Sequence, residues 1–259
     1  MSIDFSPDFS HGSSSQMMCD STSRSKEKVV FCIPTLTRPY KQTLDALKAS
    51  VPILDAAGWK HEIVFEVGCP YVSAARATML RKALDAKATV VVFIDHDVSW
   101  EPKDLLTLIE TQGDVIFGTY RFKKDEEEYM GCLTSEYPEV REDGCIKMAW
   151  GPAGFLKVTR NAVNRFMKAY PDLIYGEPCS PGVDLFNHGA HKGEWYGEDA
   201  MFGTRWNQCG GELWAIPTLN ITHHSADKAY PGNFHEYLLR RPGGSESANP
   251  IEPSLRKAA

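Results

Sequence analysis

Four mostly apolar runs, VVFCIP (29–34), HEIVFEV (61–67), TVVVFI (89–94) and DVIFGTY (114–120), dominate the first half of the chain. A strand with one wet face alternates apolar and polar residues, whereas runs like these require cover on both faces. Segments at helical spacing separate them. The first, 40–58, carries Leu44, Leu47, Val51 and Leu54 and stops at Gly58. The second, 73–88, has Ser73 as its expected N-cap, and the third, 101–113, has Pro near its start and Gly after its end. Strand-helix alternation predicts a doubly wound, mainly parallel sheet over 28–120. Ligands of such sheets bind beyond the carboxyl ends of the strands. The loop after Pro34, the Glu66 region and Asp95-His96-Asp97 should therefore line one crevice.

The second half is less regular. Residues 123–144 read as a charged loop with an irregular hairpin, CIKMAW (145–150) and GFLKVT (154–159) as strands around a GPAG turn, and 160–170 as a helix. Residues 171–197 are rich in Gly, Pro and His with little periodicity, as functional or mobile loops are. A helix closed by Gly210-Gly211 and a last strand within 212–224 complete the ordered part.

The net charge of −6, with no long Lys/Arg run, argues against a nucleic-acid partner bound by phosphate neutralisation but leaves room for a small anionic ligand. The seven cysteines show no CxxC spacing and an odd count, which suits thiols in a reducing compartment. No apolar run approaches the ~20 residues of a membrane span. The Ser-rich residues 1–27 lack a signal core and read as a disordered tail; 241–259 read as a flexible one. A cytoplasmic protein is expected, with peripheral membrane docking left open.

Asp95 and Asp97 straddle one residue just past a buried run. In an extended segment both side chains face one point, and like charges so placed need a cation between them. A hard divalent ion with oxygen ligands fits. Asp-x-Asp alone is a weak signal, equally at home in a solvated turn before a helix capped at Ser99 or nearby; the strand-end position favours the functional reading.

The order of these pieces resembles glycosyltransferases of the GT-A fold, which hold a metal and a nucleotide-sugar with an Asp-x-Asp motif. FCIPTLTRP resembles the opening strand and nucleotide loop, and 73–110 the helix, strand and motif block. GPAGFLKVTRNAV resembles the turn near the acceptor, and 196–225 the later block with an acidic pair and a closing histidine. The resemblance spans residues 28–237. Ala77 and Ser225 depart from the common pattern without removing a metal ligand.

It implies an αβα sandwich with a Rossmann-like central sheet: one catalytic domain, 28–240, nucleotide-binding over 28–120 and acceptor-binding over 121–240. It implies that Asp97 and His223 hold the metal, with Asp95 on the metal through water or on the ribose. Period-two alternation also prefers His223 over His224. Imidazole beside carboxylates suits Mn²⁺, with Mg²⁺ the alternative. Pro34, Thr35, Thr37, Arg38, Glu66, Arg76 and His96 would lie along the UDP- or GDP-linked donor, although alternation turns His96 away from the metal. Asp199 would be the general base and Glu198 would orient a carbohydrate or glycoconjugate acceptor, giving inversion. Gly154, Trp195 and Tyr196 are candidate acceptor contacts. Oligomeric state is not legible. The competing readings are a nucleotidyltransferase, which would need glycines that PTLTRP lacks, a hydrolase on a His-rich metal site (His188, His191, His223) without an HExxH helix, and a silent carbohydrate-binding domain.

Overall fold

The computed structural model describes residues 27–241; apart from Glu27 and Arg241, the expected tails lie outside the described residues. In chain order the elements begin β1 (Lys28–Thr35), α1 (Lys41–Ala56), β2 (Lys60–Val67), α2 (Val72–Asp85), β3 (Val90–Ile94), β4 (Val98–Ser99), α3 (Pro102–Glu110) and β5 (Val115–Phe117). They continue β6 (Cys132–Leu133), β7 (Ile146–Trp150), β8 (Phe155–Thr159), α4 (Arg160–Ala169), β9 (Ile174–Glu177), β10 (Ser180–Val183), β11 (Gly189–His191), β12 (Glu194–Tyr196), α5 (Glu198–Gln208), β13 (Leu213–Ala215), β14 (Thr222–His224), β15 (Ala229–Pro231) and α6 (Phe234–Arg240).

The central sheet runs β2-β1-β3-β8-β5-β13-β7-β6. β8 is antiparallel to β3 and β5, and β7 to β13 and β6; the other strands share one direction. The expected α/β class with a mainly parallel sheet is the one found. Both faces are covered, as the apolar runs require. Val30, Cys32, Val91 and Phe93 pack with residues of α2, α4 and α5 such as Met79, Phe166 and Phe202. Val29, Phe31, Val92 and Ile94 pack with Leu47, Leu54, Leu105 and Leu108 of α1 and α3. Successive residues of one strand thus feed two cores.

The strand order is not legible in the sequence, and one helix start needs correction. β5 does not neighbour β3, because β8, from the second half, inserts antiparallel between them. The GPAG turn is buried and carries the chain from β7 across to β8, which are not paired with each other, and a Cβ on Gly151 would stand 2.1 Å from the Phe117 ring. Ser73 is not the cap of α2; Tyr71 holds that position and Ser73 is buried within the first turn. Residues 171–197 fold into two antiparallel hairpins, β9–β10 and β11–β12. Val183, Leu185 and Phe186 from this stretch belong to the core, so burial organises what sequence periodicity does not mark.

Helix ends follow local chemistry. α3 starts at Pro102 inside a capping box between Glu101 and Asp104, and the Thr159 hydroxyl accepts the Ala162 N–H at the start of α4. Lys157, buried on β8, donates to the Ile109 and Thr111 carbonyls at the far end of α3, satisfying acceptors the helix leaves open. Burial lowers its pKa to about 8.

Candidate active site at the acidic turn

β3 ends at Ile94, and the chain then turns rather than staying extended. Asp95 N–H donates to the Gly154 carbonyl (2.9 Å), and the chain re-extends at β4, which pairs with β14. The turn removes the premise that both carboxylates face one point, and the two have separate partners. One Asp95 oxygen accepts from Arg76 (2.8 Å) and the other from the Tyr120 hydroxyl (2.9 Å). Asp97 pairs with the Lys123 ammonium through Oδ2 and lies 3.6 Å from His223 Nε2 through Oδ1. The like-charge problem is solved here by two protein cations, one for each carboxylate.

Gly154 has a reason of its own. A Cβ there would stand 2.0 Å from the Tyr120 oxygen and 2.2 Å from Asp95 Oδ2, so the glycine admits the Tyr120–Asp95 hydrogen bond.

Arg76 links the strand end to α5. Its side chain, 3% exposed, reaches Asp95, Glu198 (3.1 Å) and Asp199 (3.7 Å), and its guanidinium lies 5.2 Å from the Phe186 ring centroid. Burial works against its charge, but Asp95, Asp199 and Glu198 more than offset this and raise its pKa. It is no surface helix charge. One guanidinium facing three carboxylates leaves a negative excess, and it falls on Asp199, whose buried Oδ1 has no hydrogen-bond partner. Burial, together with Glu198 and Asp95 and against Arg76, raises the Asp199 pKa to about 7. A carboxyl poised near neutrality can exchange a proton at physiological pH, as a general base must.

At the other carboxylate, His223 Nδ1 lies 2.8 Å from the Arg121 carbonyl. A carbonyl only accepts, so Nδ1 carries a hydrogen, and Nε2 is the ring nitrogen that faces Asp97. An imidazole nitrogen and a carboxylate oxygen 3.6 Å apart could share a cation, and a backbone carbonyl on Nδ1 is how metal-binding imidazoles are oriented. Burial would raise Asp97, yet His223 and Lys123 outweigh it and hold the carboxyl well below its usual range. Asp97 and His223 thus fit a divalent ion. Asp95 has both oxygens engaged by protein, and among the described residues no three His, Cys, Asp or Glu side chains are grouped to hold an ion. His224 faces the opposite side, 2.7 Å from the Ser99 hydroxyl.

The remaining candidates spread out. Pro34 and Thr35 are buried at the end of β1, and Thr35 Oγ1 has no partner; Thr37 and Arg38 are exposed beyond it. Glu66 pairs with Lys82 of α2 (2.8 Å). His96 turns toward α1, where its ring lies 5.9 Å from that of Tyr40 and its carbonyl accepts from Tyr40 N–H and Thr43 Oγ1. Trp195, 68% exposed, neighbours His188 on the hairpin leading into α5, and Tyr196 donates to Glu194. Tyr120, Lys123 and Phe186 were not anticipated. The first two follow the β5 run at its carboxyl end, so the reasoning that picked out Asp95 applied to them as well. Nothing in the irregular 171–197 stretch marked Phe186.

No family model matches the chain, and no curated protein matches it. Among solved structures it is similar to A197 from STIV, at TM-score 0.47 and 16% identity over 80% of this chain and 94% of that one. It is also similar to S. aureus TarS 1–349, at 0.39 and 13% over 79% and 59%, a structure also determined in complex with UDP-GlcNAc. A third is a glycosyltransferase involved in glycosylation of the major capsid of PBCV-1, at 0.29 and 13% over 52% and 61%. At such scores these likenesses carry no argument about activity; the residues of the site have to.

Proposed function

We propose that the protein is a metal-dependent glycosyltransferase of GT-A type, moving a sugar from a UDP- or GDP-linked donor to an acceptor hydroxyl with inversion. The observation that carries this reading is Asp199: a half-buried carboxylate with one oxygen that no hydrogen bond takes, facing Arg76 at 3.7 Å, at the start of α5 and just after the hairpin that displays Trp195. Asp199 would take the proton of the acceptor hydroxyl as it attacks the anomeric carbon from the side opposite the leaving diphosphate. Glu198 would orient the acceptor, and Trp195 would offer a ring face to a sugar. Arg76 holds Asp95 and the two acids of α5 in one arrangement and so keeps the base in place.

Asp97 and His223 would hold Mn²⁺ or Mg²⁺, whose contribution is to neutralise charge on the leaving diphosphate. Thr35, Thr37 and Arg38 would meet the nucleotide. Among the described residues no helix is long and apolar enough to cross a membrane. Nucleotide-sugars, UDP-GlcNAc first, should raise the melting temperature in the presence of Mn²⁺ and be turned over to free nucleotide diphosphate. No thermal shift with any UDP- or GDP-linked sugar would remove the support for this function.

A further inference from the structure

One short segment touches every candidate metal ligand. Tyr120 donates to Asp95, the Arg121 carbonyl accepts from His223, and the Lys123 ammonium pairs with Asp97. The segment is itself pinned: Phe122 N–H donates to the Glu128 carbonyl (3.0 Å), and the Arg121 guanidinium donates to the carbonyls of Lys124 and Asp125. Two of the three contacts are fixed by this framework. The third rests on a flexible four-carbon stem, 33% exposed at the crevice mouth.

A divalent ion seated on Asp97 and His223 would bind at ~2.0–2.6 Å from its donors. It would then stand against the Lys123 ammonium, and like charges so close exclude one another. Arg76 cannot yield in this way, being buried and held by three carboxylates. Lys123 can, by swinging about its stem. Once off Asp97, its ammonium remains at the mouth beside the ion's position, where a metal-bound diphosphate presents oxygens, and ammonium groups pair readily with phosphate.

We propose that Lys123 is the site's internal counter-ion: it occupies Asp97 in the donor-free protein, yields to a divalent cation, and then pairs with the donor's diphosphate. This rests on the reading that Asp97 and His223 hold the cation. Calorimetric titration of the protein with Mn²⁺ alone tests it. Lys123→Gln should bind Mn²⁺ about fivefold tighter than wild type, the worth of a part-exposed ion pair, while Lys123→Arg should stay near wild type. With Mn²⁺ saturating, UDP and GDP should bind Lys123→Gln about tenfold more weakly, and Lys123→Arg should restore most of that loss. A melting temperature within a few degrees of wild type, the shift expected from loss of that one ion pair, shows that the fold of each variant is intact. Equal Mn²⁺ affinity in wild type and Lys123→Gln, or weaker binding by the variant, overturns the competition and leaves the metal site standing. Unchanged nucleotide affinity overturns the transfer to diphosphate. Absence of Mn²⁺ binding in every form removes the metal reading, and this role with it.

Discussion

Asp95 and Asp97 are two residues apart and differ in almost every physical respect. Asp95, with its side chain a quarter exposed, has both oxygens taken by Arg76 and Tyr120. Asp97 is the more buried of the two, and its oxygens face a flexible lysine and His223 Nε2. Asp95 joins the closed inner network around Arg76 that fixes the start of α5, and Asp97 keeps capacity for an exchangeable cation. The difference separates two tasks that a single Asp-x-Asp motif hides: building the site and loading it.

The largest expected effect tests whether the inner network serves catalysis. Asp199→Asn should slow transfer about a thousandfold with donor binding nearly intact, measured by product formation and by titration with nucleotide-sugar. Unchanged transfer would reduce the network to scaffolding. In the wild type, transfer should rise with pH through neutrality as Asp199 loses its proton. Stability should move the other way. A carboxyl whose folded pKa exceeds its unfolded value stabilises fully below about pH 4 and loses that contribution as pH rises toward about 7. Asn cannot titrate, so the variant should lose this slope and melt higher than wild type at pH 8.

Next is Arg76→Leu, which strands three carboxylates and should cost about 3–5 kcal/mol in denaturant unfolding. A smaller loss would mean that the inner network is looser than the distances indicate.

The comparison itself is sharpened by paired amide variants. Asp95→Asn should cost about 1–3 kcal/mol, because part of Arg76 loses a charged partner inside the protein. Asp97→Asn, which removes the charge facing Lys123 inside the protein, should cost a similar amount of stability and in addition weaken Mn²⁺ binding by at least about 100-fold, which Asp95→Asn should not. If both variants changed metal affinity alike, the division between the two carboxylates would be wrong. The smallest effect belongs to Glu66. Its ion pair with part-exposed Lys82 predicts that Lys82→Gln shifts stability by less than about 1 kcal/mol.

The sheet was legible because burial on both faces imprints unbroken apolar runs, and β1, β3 and β5 show them; β2, at the sheet edge, has no buried residue and its run is broken by charges. The first five helices were legible from spacing and end signals, apart from the start of α2, where Tyr71 rather than Ser73 stands at the cap; the short α6 was not read from the sequence. Asp95, Asp97, Arg76, Glu198, Asp199 and His223 were singled out by position and resemblance, and the fold brings all six to one region from strand ends and helix starts far apart in the chain.

The sequence by itself determined the class of fold, the covered sheet and the acidic character of one strand end, since these follow from local pattern and period. Only the tertiary structure decided which cation each carboxylate meets. That choice depends on a turn at residues 95–97 that breaks period-two alternation, on β8 crossing between β3 and β5 to bring Gly154 against Asp95, and on the segment after β5 reaching over with Tyr120 and Lys123. Contacts between residues tens of positions apart leave no periodic trace in a chain, because the free energy they contribute exists only once the backbone has closed around them.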